Sequence, residues 1–428
     1  MPKLVSEGPD IPNRLLEMQS KGELVFFCGA GVSMPLGLPS FKGLVEDIFE
    51  ELSEAMTTTE KFLHEKSQFD SVLGSLEQRC VGGKTMVRKA LRERLLNVKS
   101  RSKKALTTHI SLLELATTLH GNTKLVTTNF DRLFQIAAQK IKLDLPKYEA
   151  PFLPTPETDN WGVVYLHGFL EKDISDEQLR RIVVTSRDFG RAYLTERWAS
   201  RFVTELLRRY SVCFVGYSVD DPMLRYLTDA FASDFTDTSR YKELFILLGR
   251  NENWTLEDQA GIEAKNLTPI FYENSDNHSK LHSTIQAWAE LYISGHMGKA
   301  KFAETCLSKE PLGSFDDNVQ KLLWAIQEPE AARVLASVEP PPSLKWLEVI
   351  EPRFLETEPL CSSSNRFMKG LSPSVNYIGA WLAKHLEEPD LILWAAQKGG
   401  VLHPDFSDHL LGLIGTKAES RILILWDL

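Results

Sequence analysis

Four short apolar runs, each ending in a loop rich in glycine and polar residues, constrain this chain more than any other feature. The runs are Leu24 to Phe27, Lys124 to Val126, Val163 to Leu166 and Val212 to Val215. Their continuous hydrophobicity predicts strands buried on both faces, as in a parallel sheet. The loops are Gly29-Ala30-Gly31-Val32-Ser33, Thr127-Thr128-Asn129-Phe130-Asp131, Leu166-His167-Gly168 and Gly216-Tyr217-Ser218-Val219-Asp220-Asp221-Pro222. In an open α/β sheet the loops at the carboxyl ends of the strands line the ligand crevice. Four such loops with complementary chemistry predict a single site that binds a dinucleotide and breaks a bond in it.

The pattern around these motifs gives the organisation. From Glu23 to about Tyr292, strand-like runs alternate with helical ones, which predicts a Rossmann-like, doubly wound parallel α/β sheet. Arg181 to Thr185, Leu244 to Leu248 and Leu267 to Tyr272 read as further strands. Glu46 to His64 and Phe69 to Val98 read as helices, a longer insertion than a simple crossover needs, placed to cover the pocket. Within it, Lys84 to Lys104 is basic but carries Val87, Leu91, Leu95 and Leu96 at helical spacing, the pattern of an amphipathic surface helix. Leu145 to Asn160, with Pro146, Pro151, Pro154 and Pro156, reads as loop. Residues 1–20 form a leader with a short helix from Pro12 to Gln19, and residues 21–293 form the α/β domain.

Residues 294–428 have a different character. Trp, Leu and Ala recur at helical spacing in Leu322-Leu323-Trp324-Ala325, Trp346-Leu347, Trp381-Leu382-Ala383 and Leu393-Trp394-Ala395, with prolines between them. This predicts an all-α, solenoid-like domain that senses a trigger or holds an assembly. The sequence closes on an apolar run, Ile422 to Trp426, without a polar tail. A terminal repeat needs a polar outer face, so the expectation is a longer protein or an end covered by a partner.

Composition narrows the function. The net charge is −9, which disfavours a general nucleic-acid surface. No apolar leader and no apolar stretch long enough to span a bilayer occurs, so secretion and membrane insertion are not expected. The 5 cysteines, at 28, 80, 213, 306 and 361, are few and irregularly spaced, which fits a reducing, cytoplasmic compartment and no structural metal.

The first loop is the expected phosphate element. Gly29 and Gly31 permit close backbone approach to an anion, Ala30 lies between them, and Ser33 adds a hydroxyl. It is neither G-x-G-x-x-G, since position 34 is Met, nor a P-loop. A plain strand-to-helix turn is the alternative reading.

Taken together the motifs resemble the sirtuin family. In that family a Gly-Ala-Gly-[Ile/Val]-Ser loop is followed by Gly-Ile-Pro-Asp-Phe-Arg. Here Gly37-Leu38-Pro39-Ser40-Phe41-Lys42 follows, with Gly37, Pro39 and Phe41 in register and Ser40 and Lys42 departing. Asn129 and Asp131 match the family's Thr-Gln-Asn-Ile-Asp, with Thr128 in place of Gln. His167-Gly168 matches its catalytic His-Gly, and Gly216 and Ser218 match its nucleotide-contacting Gly-[Thr/Ser]-Ser. The resemblance spans roughly residues 20–290. The zinc module of protein-deacylating sirtuins needs two Cys-x-x-Cys pairs, and no two cysteines here are close enough to form one. The wording of the second and fourth motifs is similar instead to the bacterial branch that consumes NAD in antiphage defence.

The resemblance implies NAD as substrate, with Gly29, Ala30, Gly31, Ser33, Pro39, Phe41, Gly216 and Ser218 as binding residues. Asn129, Asp131 and His167 are the implied catalytic set. The residues suit cleavage of the nicotinamide–ribose bond, which passes through an oxocarbenium-like centre. Asn129 offers a neutral amide to the ribose or to a poised water. Asp131 accepts from the carboxamide or, alternatively, caps a helix. His167, after a strand and before a glycine, is the candidate general base. Asp221 reads as a helix cap, and Arg187-Asp188-Phe189 with Arg191 as a charged, solvated helix face. An NAD-consuming enzyme needs restraint, so the expected partners are further copies of the chain and a phage-derived trigger or partner subunit bound by the helical domain. An NAD-dependent deacylase and a non-catalytic nucleotide-binding regulator remain as alternatives.

Overall fold

The computed structural model describes residues 4–397 apart from 6, 97–102, 119, 159–160, 172, 219–240, 251–253, 275–277, 314–315, 351–373 and 387. The chain divides into two compact units, Lys3–Ala289 and Glu290–Leu428.

The first unit is built on a sheet of seven strands among the described residues. They are β1 (Leu24–Cys28), β2 (Lys124–Thr127), β3 (Lys147–Glu149), β4 (Gly162–Tyr165), β5 (Ser211–Val215), β6 (Leu244–Arg250) and β7 (Leu267–Glu273). Their order is β3-β4-β2-β1-β5-β6-β7, and each neighbouring pair is parallel. The central strands are buried at every residue, as a parallel sheet covered on both faces requires. The fold is thus the expected Rossmann-like α/β sheet.

The register decides where the motifs go. Cys28 stands opposite Thr127 on one side and Val215 on the other, and Thr127 stands opposite Tyr165. The carboxyl ends of β1, β2, β4 and β5 are therefore level, and the four loops leave the sheet along one line. After β1 the chain works outward through β2 to β4 and β3, then returns to place β5 on the other side of β1. This reversal is the topological switch point at which open α/β sheets take ligands.

The helix α1 (Asn13–Ser20) is part of this unit: Leu15 and Leu16 are buried, and Gln19 Nε2 donates to the Leu115 carbonyl at 2.9 Å. The insertion after β1 departs from expectation in its boundaries. Instead of one helix over Glu46 to His64 there are two, α2 (Phe41–Glu51) and α3 (Thr58–Glu65). Ser40 starts the first by accepting from the Gly43 amide. Ser53, at φ 52°, ends it, and Thr57 with Glu60 forms the capping box of the second. Phe69 to Val98 is likewise broken at Gly82, φ +88°, into α4 (Phe69–Arg79) and α5 (Gly83–Leu96), with Val98 outside the described residues.

Two further readings change. Arg181 to Thr185 is not a strand. Ile182, Val183 and Val184 are buried, but the segment joins the helices α8 (Asp176–Arg181) and α9 (Ser186–Phe189). The Val183 amide donates to the His167 carbonyl, and the Val184 and Thr185 amides donate to the Asp188 carboxylate. The segment is held by backbone and side-chain anchors rather than by ladder pairing. The proline-rich stretch from Leu145 is not all loop, because β3 adds an edge strand to β4. The helices α6 (Thr107–Ala116), α7 (Leu133–Ile141) and α10 (Trp198–Arg209) complete the layers that concern the site.

In the second unit the described elements are helical. Pro329–Ser337 packs against both Gly295–Leu307 and Ser374–Ala383, and Pro389–Gln397 follows. Trp346 and Trp381 are buried, and Trp381 Nε1 donates to the Pro342 carbonyl at 2.9 Å. The run Ile422 to Trp426 lies outside the described residues. No described helix is long and apolar enough to cross a membrane.

Candidate active site

A pocket opens at the carboxyl ends of β1, β2 and β4. The β1 loop supplies Ala30 and Ser33, the β2 loop Thr128 to Asp131, and the β4 loop His167. Pro39, Phe41 and Leu44 close one side, and Leu95 of α5 and Phe189 of α9 reach it from the insertion and the later segment. A few polar groups set among apolar walls is the usual composition of a small-molecule site.

Of the residues expected in the site, Asn129, Asp131, His167, Ala30, Ser33, Pro39 and Phe41 line this pocket. Gly29, Gly31, Gly216 and Ser218 do not. The glycines have another duty. The Gly31 amide donates to the Gly216 carbonyl at 2.9 Å, and a Cβ on Gly31 would lie 2.8 Å from the Gly216 Cα. A Cβ on Gly29 would lie 2.9 Å from the Tyr217 ring. Their lack of side chains lets the β1 and β5 loops touch. The amides of Gly29, Val32 and Ser33 are also engaged, by Val215, Gly29 and Ala30 carbonyls respectively. Most of the donors assigned to a pyrophosphate are therefore spent inside the protein. Ser218 is exposed, and Asp220, Asp221 and Pro222 lie outside the described residues.

Ser33 is the hub of a buried polar cluster. Its Oγ donates to Asp131 Oδ2 at 2.8 Å. Asn129 Nδ2 donates to the same Oγ at 3.2 Å and to the Gly29 carbonyl at 3.1 Å. His109 Nε2 lies 3.2 Å from Ser33 Oγ. Because Ser33 has one hydrogen, directed at Asp131, it accepts from both Asn129 and His109, which fixes His109 as the Nε2–H tautomer. Asp131 Oδ1 meanwhile accepts from the Leu133 amide at 2.9 Å. Asp131 thus binds the first amide of α7 with one oxygen and Ser33 with the other. Burial pushes its carboxyl up, while the Leu133 and Ser33 hydrogen bonds pull the other way.

His109 was not anticipated from the sequence. It sits on α6 in Thr-Thr-His-Ile-Ser-Leu-Leu and is fully buried, and its ring meets Phe134 edge-on at 4.8 Å. Burial, with His282 nearby, lowers its pKa to about 3. The sequence signal is one polar residue among several, with Thr107, Thr108, Ser111 and Glu114, on a largely buried helix, and that pattern alone does not name a partner.

His167 is 3% exposed, and burial lowers its pKa to about 3, so its ring is neutral. Its Nε2 lies 3.1 Å from the Tyr193 hydroxyl, and its ring meets Phe189 edge-on at 5.0 Å. Gly168, at φ +106°, turns the chain directly behind it, where a Cβ would strike Ile182.

The segment expected as a solvated face is an anchor instead. Asp188 and Phe189 are buried. Arg88 of α5, fully buried, pairs with Asp188 and with Glu77, and its Nη1 donates to the carbonyls of Leu179, Arg180 and Ile182. Lys84 Nζ also reaches Asp188, at 3.0 Å. Burial acts to raise the Asp188 pKa, but Arg88 and Lys84 outweigh it and hold the carboxyl below its usual range. The insertion is tied through this cluster to the wall that carries Phe189. The basic stretch departs from a surface helix at Arg88, which is buried because a guanidinium can be taken inside when its donors have partners.

Residues 123–270, from just before β2 into β7, match the SIR2-like domain family, which supports a sirtuin-like domain in this chain. An uncharacterised protein of Sinorhizobium fredii, y4cA, is 29% identical over 335 residues, covering 74% of this chain and 27% of that protein. The chain thus spans about a quarter of the length of that curated relative.

Proposed function

We propose that the protein is an NAD glycohydrolase that cleaves the nicotinamide–ribose bond to give nicotinamide and ADP-ribose. The observation that carries the reading is the convergence of Asn129 and a neutral His167 in one pocket at the carboxyl ends of the β2 and β4 strands. The bond from the ribose C1′ to the ring nitrogen breaks, and its electron pair leaves with nicotinamide, a good leaving group because the nitrogen starts cationic. A water oxygen bonds to C1′, and His167 takes the proton that this water releases. Asn129, held by Ser33 and Gly29, orients the ribose or the water. Ala30, Pro39 and Phe41 pack against the substrate. The walls formed by Leu44, Leu95 and Phe189 limit access of bulk water.

The biological role that fits is depletion of NAD in bacterial antiphage defence. Such an activity must be conditional, and we assign restraint to the 294–428 region, through self-association and binding of a phage-derived trigger. The test is to incubate the full chain with NAD and separate the products. Free nicotinamide and ADP-ribose in equal amounts are expected. Acyl-ADP-ribose formed only with an acylated peptide would replace the reading with a deacylase. Binding without turnover, even with candidate activators, would replace it with a nucleotide-binding regulator.

A further inference from the structure

Gly190–Thr195 forms a π-helical turn between α9 and α10. Such turns are rare, and they occur frequently at functional sites. This one carries Tyr193. It is 3% exposed, its ring stacks on Phe189 at 6.0 Å and 24°, and its hydroxyl meets His167 Nε2 at 3.1 Å. Phe189 and Tyr193 together contact the imidazole edge-on, at 5.0 Å and 6.1 Å. The turn is fixed at both ends: Asp188 is bound by Arg88 and Lys84 on one side, and Ser200 Oγ donates to the Tyr193 carbonyl at 2.9 Å on the other.

We propose that Tyr193 is the positioning residue for His167, setting its tautomer. This rests on the reading of His167 as a general base. A neutral imidazole has one protonated and one free nitrogen, and the partner of one nitrogen decides the state of the other. Nε2 is engaged in the core by Tyr193, so Nδ1 is the nitrogen left for the pocket that His167 lines. For Nδ1 to carry a lone pair, the Tyr193 oxygen must accept a hydrogen bond from Nε2–H. When Nδ1 takes a proton from the attacking water, the imidazolium that forms keeps its Nε2–H on the phenol oxygen and the ring does not turn. A histidine without this partner would distribute between two tautomers and two ring orientations, and only part of that population is a base toward the substrate.

The experiment is nitrogen NMR on full-length protein labelled with ¹⁵N-histidine, together with NAD kinetics. The His167 signals are assigned by their loss in His167→Gln. In the wild type His167 is expected as the Nε2–H tautomer. Tyr193→Phe keeps the ring stack and removes only the hydroxyl. In that variant the His167 signals should move toward the other tautomer and kcat should fall by about 10-fold or more, with KM nearly unchanged. A wrong tautomer alone costs up to ~10⁴ in the Ser-His-Asp hydrolases. A wild-type His167 protonated on Nδ1, or a Tyr193→Phe protein with the same tautomer and the same kcat, overturns the proposal. If the wild type does not cleave NAD, the hydrolase reading fails, while the wild-type spectrum still decides the tautomer.

Discussion

Gly31 and Gly216 meet backbone to backbone. The Gly31 amide donates to the Gly216 carbonyl, and a Cβ placed on Gly216 would come within 2.6 Å of the Val32 nitrogen. The contact joins the β1 and β5 loops across the switch point of the sheet, and neither residue can gain a side chain without parting them.

Gly31→Val should therefore act on the fold before it acts on the ligand. Overpacking of this kind costs about 1–3 kcal/mol. A lower melting temperature together with weakened NAD binding is expected. Unchanged stability and unchanged affinity in a titration would remove this loop contact from the account.

His167→Ala and Asn129→Ala should each suppress NAD cleavage by roughly 10²–10⁴ while circular dichroism shows an intact fold. Of the two, Asn129→Ala should be the more destabilising, because the amide also bridges Gly29 and Ser33. A correctly folded variant that kept most of its activity would reassign the residue.

Arg88→Met leaves Asp188 and Glu77 buried without their main cation. Breaking a buried pair in this way costs about 3–5 kcal/mol. Lys84 is partly exposed, so Lys84→Met should cost only about 1 kcal/mol or less. Denaturant melts of the two variants give the comparison, and equal losses would show that Arg88 is not the anchor.

Acid should loosen the first unit. His109 and His167 titrate near 3 when folded, against about 6.5 unfolded. Between those values the unfolded chain binds protons that the folded one refuses. The stabilisation from neutral burial is complete above about pH 6.5 and is lost as pH falls toward 3, by up to about 1.4 kcal/mol per pH unit for each histidine. Asp131, raised by burial, works in the opposite direction and offsets part of this. Melting temperature measured from pH 7.5 to 5 should fall, and should fall less steeply in His109→Gln. Parallel curves would show that His109 does not carry the effect.

The assembly role assigned to the 294–428 region is tested by ending the chain after Ser294. Size-exclusion chromatography with light scattering should show a smaller oligomer, and NAD turnover should lose its response to activators. The same oligomer with the same turnover and response would remove that role.

The sheet could be read from residues alone because its strands are buried on both faces and announce themselves by unbroken hydrophobicity. The positions of Asn129, Asp131 and His167 followed, since each lies directly beyond such a strand. What stayed hidden depends on partners distant in sequence. Arg88 looks like a surface cation until Asp188, a hundred residues on, is brought to it. His109 looks like a stray polar residue until Ser33 supplies its hydrogen-bond partner. Ile182 to Val184 mimics a strand because side-chain and backbone anchors bury it without a neighbour in the ladder.

None of the described residues lining the pocket is a lysine or an arginine. With no cation among the described lining residues, on a chain of net charge −9, long-range attraction contributes little to drawing in the proposed anionic dinucleotide. Occupancy then depends on shape, on the dryness of the walls and on short hydrogen bonds, none of which dissolved ions screen. Such a cleft should go on filling at ionic strengths that would empty one built from a cluster of arginines.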